Sequence, residues 1–368
     1  MKLAAYNVEN LFLRAVAMNG ANLDAGKDAL KQHAELNAIL GKTVYTAADK
    51  TRIVKLMKDL KIDKKDDGGL FALLRQNRGH LVKRPASGIQ VVANGRADWI
   101  GWVELKREEV NEISTRNTAR VINDVNADIL GVVEAESRPG LVRFSDNVIS
   151  AGGGTRYAHA MLIDGNDERG IDVAVFTRAG FNILSIQSHV DDTDAQGRIF
   201  SRDCAVYEIR TLQGNTVFVL VNHFKSKGFG SQADSNAKRK RQAKRVKEIY
   251  QALRANHPHV AVLGDLNDTP DSDPLSPLIA ETDLKDISQH AQFDDGGRPG
   301  TYANGTASNK IDYVLLSPAL FAAATAGGIF RMGVWGGTNG TLFPHYPEIT
   351  KASEAASDHA AIWAEINV

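Results

Sequence analysis

Val260-Ala261-Val262-Leu263-Gly264-Asp265-Leu266-Asn267-Asp268-Thr269-Pro270 is the stretch that decides how this chain is read. An apolar run of strand length meets a glycine and then presents Asp265 and Asn267. A strand alternates its side chains, so residues two apart leave the backbone on one side. A carboxylate and a carboxamide side by side at a strand end offer an acceptor for a water proton and a donor for a developing oxyanion. Gly, Asp, Asn and Pro are also what turns use. Alone, the stretch stands open between a turn and half of a catalytic site.

Working outward, similar apolar runs lie at 3–8, 129–133, 171–176, 217–221, 311–316 and 360–366. Their Val and Ile content and short length predict strands. Residues 112–125 place Ile113, Val121, Ile122 and Val125 at helical spacing, and 235–254 run through Lys and Arg into Val246, Ile249, Tyr250 and Leu253. Helices alternating with such strands predict layered α/β packing with sheets at the centre. From about 13 to 110 the pattern changes. That segment holds lysine-rich polar stretches, Asp66-Asp67-Gly68-Gly69, and Trp99 with Trp102. Its 51–60 portion is predicted helical, with Ile53, Leu56, Met57 and Leu60 on one face. We read it as an insertion into one domain spanning 1–368.

The 368 residues suffice to bury a sizeable core, and 43% hydrophobic with 24% charged residues is ordinary for a globular protein. The net charge of +0 gives no global field for nucleic acid, so a polyanion must meet a local patch. The single Cys204 excludes an internal disulfide and a cysteine-based zinc site. No apolar leader follows Met1 and Lys2, and no stretch approaches a membrane span. The expectation is a cytoplasmic protein, or a secreted one if its start has been trimmed, with neither membrane nor protein partner.

Five further elements sit at the ends of the predicted strands: Asn7; Glu134; Asn222-His223 followed by Lys225-Ser226-Lys227; Asp312 in Ile311-Asp312-Tyr313; and Ser357-Asp358-His359. Each alone has an ordinary reading as a turn residue, a strand cap, a satisfied histidine or a surface acid. Their joint order decides the matter. Asn, Glu, Asn-His, Gly-Asp-x-Asn, Asp-Tyr and Ser-Asp-His resemble the endonuclease/exonuclease/phosphatase superfamily, over roughly residues 1–12 and 110–368. Tyr6-Asn7-Val8-Glu9-Asn10-Leu11-Phe12 and Val221-Asn222-His223-Phe224-Lys225-Ser226-Lys227-Gly228 look most like its bacterial nucleases.

The resemblance implies a four-layered α/β sandwich of the deoxyribonuclease I type, two mixed sheets face to face with helices outside. It implies hydrolysis of a phosphoester, which needs neutralised phosphoryl charge, an oriented water and help for the leaving oxygen. Glu134, with Asn7 beside it and Asp358 as a further carboxylate, would hold Mg²⁺ or Mn²⁺, with Ca²⁺ as an alternative. His359 corresponds to the histidine on the scissile phosphate, and Asp312 to the carboxylate orienting it. Asp265 resembles the residue that positions or deprotonates water, Asn267 stabilises the transition state, and His223 protonates the leaving oxygen. Arg169 and Lys225 are candidates for phosphate contact; a salt bridge from Arg169 to Asp172 is the structural alternative. Lys310 stands where the family often has arginine.

The run Lys238-Arg239-Lys240-Arg241 with Lys244, Arg245 and Lys247 reads as a solvated helix face or as a phosphate-backbone patch using Lys238 and Arg241. Trp99 and Trp102 with Arg96 read as a small core or as a base-stacking platform. The leading expectation is a metal-dependent nuclease with DNA or RNA as substrate and little sequence preference. A phosphatase on inositol phosphates or sphingomyelin uses the same set. A non-catalytic nucleic-acid-binding module is disfavoured because the catalytic set is intact.

Overall fold

The apolar runs pair into two mixed sheets in a computed structural model that describes residues 1–9, 11, 13–18, 23–228 and 231–368. Asn10 and Phe12 of the Tyr6-to-Phe12 motif lie outside the described residues. The chain divides into two compact units. Residues 1–12, 110–227 and 231–368 form the larger, and residues 13–109 with 228–230 the smaller.

In the larger unit one sheet has seven strands in the order Phe293–Asp294, Ala324–Phe330, Ala361–Ile366, Lys2–Asn7, Ile129–Ala135, Asp172–Thr177 and His159–Leu162. The other has six: Asn182–Gln187, Cys204–Arg210, Thr216–His223, Val260–Asp265, Asp312–Leu316 and Lys285–Asp286. Alternation along the strands sets the layers. Leu3, Ala5, Ile129 and Val133 of the first sheet join Val219, Val221, Ala261 and Leu263 of the second in one inner core. The opposite faces, through Ala4, Tyr6 and Val132, pack on Val121, Ile122 and Val125 of helix Glu112–Val125. Leu220, Val262 and Leu315 likewise pack on Val246, Ile249 and Tyr250 of helix Gln232–Arg254. The result is the four-layered helix–sheet–sheet–helix sandwich. Strands buried on both faces read as continuous apolar runs, which is why they were visible in the sequence. Each fully buried Val, Leu or Ile contributes about 1.5–3 kcal/mol.

Two glycines are dictated by this packing. A Cβ on Gly131 would lie 2.4 Å from Leu263 Cδ1, so the sheets meet closely there. Gly264 has φ of +121° and a Cβ would lie 2.0 Å from the Asn222 carbonyl oxygen, a conformation open to glycine. It lies within the strand, next to Asp265.

The smaller unit has its own core, built from Leu36, Ile53, Leu56, Met57, Leu74, Trp99 and Val103. Helix Ala47–Asp59 contains most of the predicted 51–60 helix and starts at a capping box between Thr46 and Asp49. Trp99 is 1% exposed and its Nε1 donates to the Tyr45 hydroxyl at 3.0 Å. Arg96 lies over the Trp99 ring and donates to the Gly101 carbonyl. Trp99 is therefore core, while Trp102 and Arg96 of the proposed platform are exposed. Among the described residues no helix is long and apolar enough to cross a membrane.

Candidate active site

Strand polarity gathers the polar residues on one edge of the larger unit. Lys2–Asn7 runs parallel to Ile129–Ala135, and Thr216–His223 parallel to Val260–Asp265. Their C-terminal ends deliver Asn7, Glu134, His223 and Asp265. Asp312–Leu316 and Cys204–Arg210 run antiparallel to these neighbours, so they begin where the others end. In register, Asp265 sits opposite both His223 and Asp312. His359 precedes the last strand, its backbone N–H held by Ser357 Oγ at 2.9 Å; Ser357 donates to the Asn7 carbonyl at 2.7 Å.

At the centre, His359 Nδ1 meets Asp312 Oδ2 at 2.8 Å, and Thr301 Oγ1 donates to the same oxygen at 2.6 Å. Burial alone would lower the His359 pKa. Asp312 first, then Asp358 and Asp265, outweigh it and hold the ring well above the ordinary histidine range. That direction favours the imidazolium form, and Nε2 faces Asp265 at 4.0 Å, Asp358 at 3.7 Å and Asn7 at 3.5 Å. Asn7 Nδ2 also donates to Asp265 Oδ2 at 3.3 Å, while its Oδ1 accepts from the Glu9 N–H at 3.0 Å. Asn7 therefore ties Asp265 to the Glu9 backbone, in addition to the ligand role expected of it.

Asp265 is 2% exposed. Burial, then the neighbouring Asp312 charge, pushes its carboxyl up to about 7, against the pull of His359. Asn267 lies beyond the strand, in the left-handed region at φ +55°. Its N–H donates to Asp265 Oδ1 at 2.8 Å and its Nδ2 to the Phe224 carbonyl at 3.2 Å. The expectation that Asp265 and Asn267 share one side of a strand is corrected here. The strand ends at Asp265, and the pair is assembled by a turn in which the Asn267 N–H holds the carboxylate. Glu134 also has positive φ, at +68°. Non-glycine residues held there at a site edge are conformations the surroundings must enforce.

His223 is 3% exposed, 3.6 Å from Asp265 and 3.8 Å from Glu134. Against it lies Arg202, also buried: Nε is 3.1 Å from Nδ1, and Nη2 is 3.0 and 2.6 Å from Nδ1 and Nε2. A guanidinium has only donors, so the imidazole facing it is an acceptor. Burial first and Arg202 second push the His223 pKa well below its usual value. His223 is a neutral ring. The lowered pKa runs against the proton-donor role expected for it, whereas the His359 ring is the one pushed toward holding its proton.

Arg202 was not singled out in the sequence. The signal was its place just before a strand antiparallel to the one ending in His223. Its Nη1 lies 3.4 Å from Asp167, which Arg169 grips through two donors at 2.6 and 2.8 Å. The salt bridge of Arg169 is thus to Asp167. Asp172 instead accepts from the Gly165 N–H at 2.7 Å, and burial pushes it up to about 7. Lys225 Nζ donates to the Ser226 carbonyl at 3.1 Å; burial first, then the Arg169 and Arg202 charges, lower it to about 8. Lys310 is buried, pairs with Asp286 at 2.9 Å and donates to the Asp312 carbonyl at 3.0 Å, fixing the strand that presents Asp312.

The basic helix differs from the patch reading. Arg239 is fully buried, pairs with Asp268 at 3.0 Å and donates to the Lys225 carbonyl at 2.9 Å. Lys240 pairs with Asp273 at 2.7 Å, Arg241 with Asp194, Arg245 with Asp192 at 2.7 Å and Lys247 with Glu281 at 2.6 Å. Lys238 donates to the Arg198 carbonyl. The charges expected to track phosphates, Lys238 and Arg241 among them, already have partners within the fold.

The carboxylates expected to hold a divalent cation, Glu134 and Asp358, are oxygen donors of the type that suits a hard ion. Burial raises the Glu134 carboxyl as well as that of Asp265, and crowded carboxyls held toward neutrality are what a bound cation relieves. Asp265, Asp312 and His359 also offer donor atoms within 4.8 Å of one another. Within that group the Asp312 and His359 side chains already satisfy each other in a hydrogen bond.

A sequence profile of the endonuclease/exonuclease/phosphatase family matches residues 92–327. Among solved structures the chain is similar to a mannosyl-6-phosphatase from Bacteroides thetaiotaomicron, at 16% identity over 70% of this chain and 92% of that one, with a TM-score of 0.50. A family member from Bacteroides vulgatus gives 17% identity, 70% and 91% coverage and a TM-score of 0.49. Truncated TDP2 from Caenorhabditis elegans gives 17%, 70%, 92% and 0.46. No curated protein sequence matches this chain.

Proposed function

The chain belongs to the endonuclease/exonuclease/phosphatase family, and from that premise we propose that it is a divalent-metal-dependent phosphodiesterase that cleaves nucleic acid, DNA first, by in-line attack of water. The observation that carries this reading is the convergence of Asp265, the Asp312–His359 pair, His223 and Glu134 on one strand-end edge.

Asp265, with its carboxyl near 7, is matched to accept a proton from water at neutral pH. The hydrogen bonds that Asp265 receives from Asn7 and Asn267 fix where that water is held. The His359 imidazolium, aligned by Asp312, places a cation and a proton on the phosphoryl side. Arg202, Arg169 and Lys225 add positive charge around the neutral His223. A cation bound through Glu134 and Asp358 would neutralise phosphoryl oxygen charge.

The test is hydrolysis of plasmid DNA, bis-p-nitrophenyl phosphate and inositol phosphates with Mg²⁺, Mn²⁺ or EDTA. Metal-dependent nicking of plasmid that EDTA abolishes is expected. Full activity in EDTA overturns the metal assignment. Turnover of inositol phosphates with none of DNA selects a phosphatase on a small substrate, a second reading that the internally paired cations of helix Gln232–Arg254 favour.

A further inference from the structure

The net charge of +0 conceals a division between the two units. Residues 13–109 hold 18 Lys and Arg against 12 Asp and Glu, a net of +6; the rest of the chain holds 26 against 32, a net of −6. The unit bearing the candidate active site therefore repels a polyanion over distances comparable to the Debye length, about 8–10 Å at ordinary salt. The smaller unit attracts one.

Six cations of the smaller unit are matched by its own carboxylates: Lys42 by Asp49, Arg52 by Glu35, Lys55 by Asp59, Arg75 by Glu104, Arg84 by Asp66 and Lys106 by Asp67. Lys58, Lys61, Lys64 and Lys65 are different. All four are exposed and, among the described residues, stand in no ion pair. They occupy the last turn of helix Ala47–Asp59 and the bend after it.

That bend is fixed. The Ile62 N–H returns to the Met57 carbonyl at 2.9 Å, and Leu60 and Ile62 are buried. Arg84 donates to the Ile62 and Asp63 carbonyls at 3.0 and 2.7 Å and to Asp66 at 2.6 Å. Lys61 itself sits in the left-handed region at φ +61°, the helix-ending position where glycine or asparagine is favoured. A lysine there keeps a charge on the rim at the expense of backbone ease. Four ammonium groups carried on a fixed backbone need no backbone ordering to meet phosphates, and each can displace condensed counterions.

We propose that the turn formed by residues 58–65 binds the phosphate backbone of nucleic acid, which gives the insertion a nucleic-acid-binding role of its own. This rests on the nuclease reading above. In the full chain, replacing Lys58, Lys61, Lys64 and Lys65 with Gln should raise the KM for DNA, and the Kd for the same DNA in EDTA, by about tenfold or more near 0.1 M salt. The slope of log affinity against log salt should fall by about 1 for each phosphate that is no longer neutralised. Hydrolysis of bis-p-nitrophenyl phosphate reports folding and chemistry and should stay at the parent level. A companion variant with the four lysines changed to Arg should keep the parent slope. Unchanged DNA affinity and salt slope in the Gln variant would overturn the inference while plasmid cleavage left the nuclease reading standing. Parent protein that hydrolyses the small diester but neither binds nor cuts DNA would overturn both. Equal loss on DNA and on the small diester would overturn the binding role in favour of a structural one.

Discussion

Helix Gln232–Arg254 places eight Lys and Arg in 23 residues, and residues 58–65 place four Lys in eight. By sequence the helix is the more conspicuous polyanion site. In the fold the order reverses. Six of the eight helix cations meet carboxylates, on Asp268, Asp273, Asp194, Asp192, Glu281 and Asp283. The four lysines of the turn meet none among the described residues. A run of one sign states how much charge is present, whereas availability depends on acids delivered by distant loops. The helix of the active-site unit uses most of its cations to hold neighbouring loops in place, whereas the four lysines of the turn remain exposed.

The comparison presumes chemistry that neither region performs, and the largest expected effect tests that presumption. Asp265→Asn should reduce turnover by about 10²–10⁴-fold, the span for loss of a positioned acid–base group, on DNA and on bis-p-nitrophenyl phosphate alike. A variant that loses only DNA cleavage would place Asp265 in substrate holding and break the division. Next in size is the structural charge. Arg239→Met removes the buried partner of Asp268, leaving it Lys227 at 2.6 Å and the Thr269 N–H at 3.1 Å among the described residues. Breaking a buried pair costs about 3–5 kcal/mol, and the remaining lysine should keep the loss near about 3 kcal/mol. A fall in the midpoint of chemical denaturation checks it. A stability equal to the parent would return Arg239 to the pool of cations free for substrate.

The pH profile should be common to both substrates, because it belongs to the site and to neither basic region. A carboxyl raised to about 7 is protonated below that pH in the folded protein. Rate should therefore fall about tenfold per unit as pH drops below 7, and level off above it. A cation bound beside Asp265 favours its ionised form, so higher Mg²⁺ should move the acid limb downward. An acid limb present with DNA but absent with the small diester would assign it to binding.

Much of the larger unit was legible. Its strands are buried on both faces, so their apolar runs were continuous, and polar residues at run ends marked Asn7, Glu134, His223, Asp265, Asp312 and His359. What stayed hidden depends on long-range pairing. Arg202 reaches His223 only because two strands run antiparallel, and Thr301 reaches Asp312 from a separate loop. Asp167 takes Arg169 where Asp172 was the nearer guess, because Asp172 lies within a strand and is buried. The Asn267 turn was misread as strand alternation, since periodicity does not say where a strand stops. The charge division was present in the sequence but had no meaning until the insertion's boundaries were placed on a separate core.

A smaller effect separates strain from binding. Lys61→Gly relieves the left-handed backbone at φ +61°, so stability should hold or rise by less than about 1 kcal/mol. The DNA salt slope should fall by about 1. A stability loss with an unchanged slope would make Lys61 a structural residue and weaken the turn's side of the comparison.

The smallest effect is expected where the sequence placed the largest. Lys240→Gln with Arg241→Gln removes two cations paired with Asp273 and Asp194. Lys240 and its partner are 48% and 75% exposed, and exposed pairs contribute about 0–1 kcal/mol. The Arg241 pair is less exposed, at 16% and 36%, so it should supply most of whatever is lost. Because both charges are already balanced by carboxylates, no condensed counterion need leave DNA on their account, and KM and salt slope should stay near the parent values. Residual effects should appear as a small drop in unfolding temperature as the Asp194 loop loosens. If instead this double variant raises the KM for DNA as much as the lysine-turn variant does, the carboxylates release these cations to substrate. The helix would then be a binding surface held in reserve, and the contrast between the two basic regions would fail.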